Sequence, residues 1–126
     1  MAKKILIIDD DADFIESAQA LLEANNYIIG SSDTGKQGFD KAKTDLPDLI
    51  ILDVMITDAS EGLDIALQLE ADPTTTNIPI VILTGIRKAK HLLESYAPQE
   101  KWRNVKAVLE KPLKPEEILT TLNNII

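Results

Sequence analysis

Five short apolar runs, each ending in a polar residue or glycine and each followed by residues at helical spacing, constrain this chain more than any other feature. Ile5-Leu6-Ile7-Ile8 runs into Asp9, Tyr27-Ile28-Ile29 into Gly30, and Leu49-Ile50-Ile51-Leu52 into Asp53. Ile80-Val81-Ile82-Leu83 runs into Thr84-Gly85, and Ala107-Val108-Leu109 into Glu110-Lys111-Pro112. Unbroken runs this short, rich in β-branched residues and bounded by turn signals, read as strands buried on both faces. Between them, Phe14, Ala18, Leu21 and Leu22 make a helical stripe, with Asp11 or Asp13 as N-cap and Asn25-Asn26 as the stop. Residues 35–43, with Phe39 and Ala42 inward, make a shorter helix. Leu63, Ala66, Leu67 and Leu69 mark a third, closed by Asp72-Pro73, and residues 88–96 a fourth, stopped by Pro98. Pro115 opens a fifth with Ile118, Leu119, Leu122 and Ile125 as its stripe. The (βα)5 alternation predicts an α/β fold: a doubly wound five-stranded parallel sheet with right-handed crossovers. With no linker rich in Gly, Pro or Ser, no repeat and no low-complexity stretch, residues 1–126 read as one domain without an output domain.

Composition narrows the function classes. A 44% hydrophobic content supplies a core, yet no apolar run reaches the ~18 residues of a membrane span, so no membrane insertion is expected. The start, Met1-Ala2-Lys3-Lys4 followed by four apolar residues and then acids, lacks the pattern of a signal peptide, and a cytoplasmic location is the expectation. No cysteine is present, which excludes disulfides, thiolate metal sites and a cysteine nucleophile. His91 is the one histidine, so histidine dyads are excluded too. A net charge of −8 disfavours direct contact with nucleic acid and favours protein partners or a cation.

In parallel sheets, ligands bind beyond the carboxyl ends of the strands. Asp9 and Asp10, Asp53, Thr84 and Lys111 all stand at such ends. Three carboxylates together repel one another, and a hard divalent cation such as Mg²⁺ removes that cost. Asp11 and Asp13 read as ordinary helix-start acids.

Four stretches then resemble, in order and at strand ends, the response-regulator receiver domain of two-component signalling. They are residues 5–11 (Ile-Leu-Ile-Ile-Asp-Asp-Asp), 47–55 (Pro-Asp-Leu-Ile-Ile-Leu-Asp-Val-Met), 80–85 (Ile-Val-Ile-Leu-Thr-Gly) and 109–112 (Leu-Glu-Lys-Pro). The resemblance covers the whole chain and implies a flavodoxin-like strand order 2-1-3-4-5. It implies that Asp53 accepts a phosphoryl group from a histidine kinase or phosphotransfer protein, and that phosphorylation alters the conformation offered to a downstream protein. It further implies that Asp9, Asp10, Asp53 and the backbone carbonyl of Met55 hold Mg²⁺, while Thr84 and Lys111 meet the phosphoryl oxygens. Members of such a family are switches that act on themselves rather than enzymes.

The chain departs from the family pattern in places. Ile56-Thr57 replaces the usual proline, Gly62 comes about one residue late, and Asp58 and Glu61 read as acids of a reshaped loop. The segment between Thr84 and Lys111 is longer than usual, and Val108 stands where the family carries an aromatic switch residue. Two rival functions remain. Residues 30–37, Gly-Ser-Ser-Asp-Thr-Gly-Lys-Gln, match the P-loop pattern through Gly30, Gly35 and Lys36. Gln37 in place of Ser or Thr, and Asp33 inside the loop, count against nucleotide binding there. The other rival is a docking module that works without phosphorylation.

Met55 and Ile86, two residues after Asp53 and Thr84, flank the path of an attacking water in the family pattern. Both are apolar and cannot orient water for in-line attack. Slow self-dephosphorylation is therefore expected, accelerated by Met55→Glu; decay followed on a phosphate-affinity gel checks this, and equal decay of wild type and variant contradicts it.

Overall fold

The computed structural model describes residues 2–53, 59–85, 104–111 and 114–126; for 59–63 and 84 it describes the backbone alone. Five strands, β1 (Lys4–Ile8), β2 (Ile28–Ser32), β3 (Leu49–Asp53), β4 (Ile80–Thr84) and β5 (Val105–Glu110), form one parallel sheet. Its order is β2-β1-β3-β4-β5, as expected. The described helices are α1 (Ala12–Ala24), α2 (Gly35–Asp45), α3 (Ala59–Ala71) and α4 (Pro115–Ile125). The helix expected over residues 88–96 lies outside the described residues, as do Met55, Asp58, Ile86, His91 and Pro98.

The unbroken apolar runs follow from burial of both sheet faces. Leu6, Ile8, Ile50, Leu52, Ile80 and Ile82 pack on one side with Ala42 of α2 and with Ile65, Ala66 and Leu69 of α3. Ile5, Ile7, Leu49, Ile51, Val81 and Leu83 pack on the other with Ala18 and Leu22 of α1 and with Ile118 and Leu122 of α4. Asp11 is the cap of α1: its side chain accepts a hydrogen bond from the Phe14 amide at 3.1 Å, and Asp13 is a first-turn acid. Pro115 occupies the first turn of α4, where its missing N–H costs nothing.

Several boundaries differ from the sequence reading. β2 does not stop at Gly30. It continues to Ser32 because every residue pairs with β1 up to Ile8↔Ser32, and the Asp9 amide donates to the Ser32 carbonyl at 3.0 Å. This overturns the P-loop alternative, since Gly30, Ser31 and Ser32 are extended strand rather than a loop wrapped for phosphate. β5 begins at Val105, with one extra residue, Lys106, bulged between the partners of Ile80 and Val81. α3 begins at Ala59, so Glu61 belongs to the helix and not to the loop before it.

Gly38 of α2 faces Ile8, and a Cβ built there would meet Ile8 Cδ1 at 2.5 Å and Cγ1 at 2.6 Å. Ile8 is fully buried and cannot retreat. Gly38→Ala therefore sets an overpacking cost of about 1–3 kcal/mol against the ~1 kcal/mol gain in helix propensity. A net loss of about 1 kcal/mol is expected in urea unfolding. Ile8→Val, which removes Cδ1, should make the double variant less unstable than the sum of the single changes; simple additivity would contradict this packing account.

Candidate functional site

The parallel sheet brings the carboxyl ends of all five strands to one edge. Asp9 follows β1, Asp53 ends β3 beside Leu83 of β4, Thr84 ends β4 opposite Glu110, and Lys111 follows β5. Asp9 is completely buried and Asp53 is 4% exposed, whereas Asp10 is exposed. Among the described residues these three acids each offer a carboxylate oxygen, all within 4.8 Å of one another. The Lys111 ammonium spans two of them, at 2.8 Å from Asp9 Oδ2 and 3.1 Å from Asp53 Oδ2. The second contact is a hydrogen bond. The first is an ion pair off the line of one, so buried Asp9 Oδ2 has no directed donor. Asp9 Oδ1 accepts from the Asp11 amide at 2.9 Å.

Charge is incompletely balanced here. Burial pushes the Asp9 carboxyl above its usual value and the Asp53 charge adds to that; the Lys111 contact and the Asp11 amide oppose the shift without cancelling it. Burial alone would lower the Lys111 ammonium, but its close contacts with the Asp9 and Asp53 carboxylates, and their charges, raise it above the usual 10.5. A receptive acidic pocket beside a pre-placed cation can take up positive charge on one side and bind an anionic group on the other.

The chain matches the family model for the response regulator receiver domain over residues 5–123. It belongs to that family. The response regulator PleD of Caulobacter vibrioides is 35% identical over 86 residues, 68% of this chain and 19% of PleD. The phosphate regulon regulatory protein PhoB of Pseudomonas aeruginosa is 29% identical over 126 residues, all of this chain and 52% of PhoB. The chain thus spans between a fifth and about half of the length of these relatives. In fold it is similar to the chemotaxis response regulator CheY4 of Vibrio cholerae, with a TM-score of 0.86 at 22% identity and full coverage of both chains. Receiver domains are signalling switches of two-component systems, typically with Mg²⁺ at an acidic pocket and control by phosphorylation. The matches give no support to a nucleotide-binding P-loop or a phosphorylation-independent docking module.

In this receiver the residues at hand fit a hard divalent cation: three carboxylates, one of them buried with an oxygen lacking a directed donor. Of the other expected site residues, Thr84 is placed by its backbone at the same edge, and Met55 lies outside the described residues. Val108, in the place of the family's aromatic, is half-buried in β5 beside Ile82 and packs against the core on that face of the sheet. No helix among the described residues is long and apolar enough to cross a membrane.

Two features escaped the sequence reading. Lys111 pairs with Asp9 as well as Asp53, and its Nζ lies 4.5 Å from the centroid of the Phe14 ring. Phe14 read only as one member of an apolar helical stripe. A single aromatic in such a stripe carries no signal of a contact with a lysine so distant in sequence.

Lys111→Met would remove the ammonium that the two buried carboxylates of Asp9 and Asp53 share. A loss of about 2 kcal/mol is expected in metal-free denaturation, partly recovered in saturating Mg²⁺. Because the folded-state lysine value is raised, its stabilisation is complete below 10.5 and is lost as pH rises through the raised value. The gap between wild type and Lys111→Met should therefore close in alkali; a gap that persists unchanged would contradict the pairing as its source.

Proposed function

We propose that this receiver takes a phosphoryl group onto Asp53 from the phosphohistidine of a histidine kinase or phosphotransfer protein, and signals to a downstream protein through the resulting change of conformation. The observation that carries this reading is the Lys111 ammonium bound jointly by buried Asp9 and Asp53 at the carboxyl edge of the sheet. An Asp53 carboxylate oxygen forms the new P–O bond as the P–N bond to the donor imidazole breaks. The leaving nitrogen keeps the electron pair and regains a proton from solvent. Little covalent assistance is required, because phosphoryl transfer depends mainly on positioning and charge stabilisation.

Lys111, already 3.1 Å from Asp53, shifts its contact to a phosphoryl oxygen without giving up a proton. The Thr84 hydroxyl donates to another oxygen once the phosphate is in place. Asp9 and Asp10, with Asp53 and the Met55 carbonyl, are the residues that would hold Mg²⁺. When bound, Mg²⁺ supplies neutralisation of charge on the phosphoryl oxygens. Each chain then carries one phosphoryl group and loses it by its own hydrolysis, so the reading is a switch and not an enzyme with turnover. In this reading the chain meets those donor proteins in the cytoplasm. The acidic balance, 21 Asp and Glu against 13 Lys and Arg, supports protein partners rather than direct contact with nucleic acid.

Intact-mass measurement after incubation with a small phosphodonor and Mg²⁺ tests the reading. One added phosphoryl group is expected on the wild type and none on Asp53→Asn, while Lys111→Ala should leave a labelled form with impaired signalling. Undiminished labelling of Asp53→Asn would place the acceptor elsewhere.

A further inference from the structure

We propose that the Phe14 ring is a positioning residue for the Lys111 ammonium, holding it by a cation–π contact beside Asp53 as phosphoryl transfer proceeds. This rests on the reading of Asp53 as the acceptor. The Lys111 ammonium meets Asp9 at 2.8 Å, Asp53 at 3.1 Å and the Phe14 ring with its centroid at 4.5 Å. That separation is well within the ~6 Å over which a ring face attracts an ammonium. Lys111 is partly buried, its side chain 20% exposed, so the attraction is less screened than on an open surface. The protein's Lys43–Phe39 contact, at 4.6 Å, offers a contrast: it joins neighbours one turn apart on α2, and Lys43 is 39% exposed.

Phe14 is held where it is by the same residue that orients Asp9. The Asp11 amide donates to Asp9 Oδ1 at 2.9 Å, and the Asp11 side chain accepts from the Phe14 amide at 3.1 Å. Asp9 and Phe14, two of the three described groups around the ammonium, are thus set in register through Asp11. The lysine stem is long and flexible, and of its two carboxylate contacts the one with Asp53 is a directed hydrogen bond. The ring has a second property that suits the task. Its attraction persists when the charges on the carboxylates are engaged elsewhere, so it keeps the ammonium close to Asp53 when Asp9 turns to another cation. Phe14 and Lys111 also line, with Ala18, Leu22 and Ile118, a cavity of about 570 Å³ between α1 and α4, so the ring is not locked inside the core.

The test compares Phe14→Leu and Phe14→Met, which keep an apolar side chain, with Phe14→Tyr, which keeps the ring. In metal-free protein, the ε-methylene protons of Lys111 should show an upfield ring-current shift in wild type and Phe14→Tyr, and lose it in both aliphatic variants. With Mg²⁺ and a small phosphodonor, the aliphatic variants should label Asp53 about three- to tenfold more slowly, while Phe14→Tyr stays near wild type. In a Lys111→Ala background, Phe14→Leu should add almost nothing, since the ring acts through the lysine. A ring-current shift retained in the aliphatic variants, an equal rate loss in Phe14→Tyr, or an undiminished Phe14→Leu effect without Lys111 would each overturn the proposal. A wild type that takes no phosphate at all overturns the acceptor reading instead, a result distinct from labelling that is indifferent to Phe14.

Discussion

Two buried carboxylates a few ångströms apart cannot both stay ionised without a counter-charge, and in this receiver Lys111 supplies it for Asp9 and Asp53 together. The compensation is partial. Among the described residues one ammonium pairs with two of three clustered acids, Asp9 Oδ2 has no directed donor, and the Asp9 carboxyl stays above its usual value. A site balanced in this way favours any event that adds positive charge or redistributes the negative charge, which is what a phosphorylation switch requires.

The sheet order dictates which residue can perform that task. Neighbouring strands lie about 4.8 Å apart, and β5 is separated from β3 by β4, so Lys111 must cross roughly 10 Å of backbone spacing to reach Asp53. Only a long side chain spans that gap, and a compact ammonium at its tip can touch two carboxylates at once. The helices set the edge from both sides. Asp11 caps α1 and at the same time donates to Asp9, and Gly38 lets α2 approach Ile8, the residue directly before Asp9. Secondary-structure capping and site geometry are therefore one set of contacts.

Much of this architecture was legible in the sequence because its periodicities are strong. Unbroken apolar runs mean strands covered on both faces, and every run but the one ending at Gly30 stopped at a residue now found at the carboxyl edge. The acids, Thr84 and Lys111 could be placed at that edge from their positions alone. What stayed hidden depends on contacts between distant segments. Gly30-Ser31-Ser32 looks like a loop in isolation and becomes strand because β1 offers partners through Ile8. The bulge at Lys106 arises from the register of β5 against β4, which no local pattern encodes. Phe14 obeys the helical stripe perfectly well, so its stripe position concealed the contact with Lys111.

In the proposed reading, the charge arrangement around Asp53 makes that carboxylate, and neither Asp9 nor Asp10, the bearer of the phosphoryl group. Borohydride reduction of the phosphorylated protein measures this most directly, because it converts an aspartyl phosphate to homoserine and leaves a free carboxylate untouched. Peptide mass spectrometry of the reduced protein should then find homoserine at position 53 alone. Homoserine at position 9 or 10, or a phosphorylated protein that resists reduction, would contradict the account.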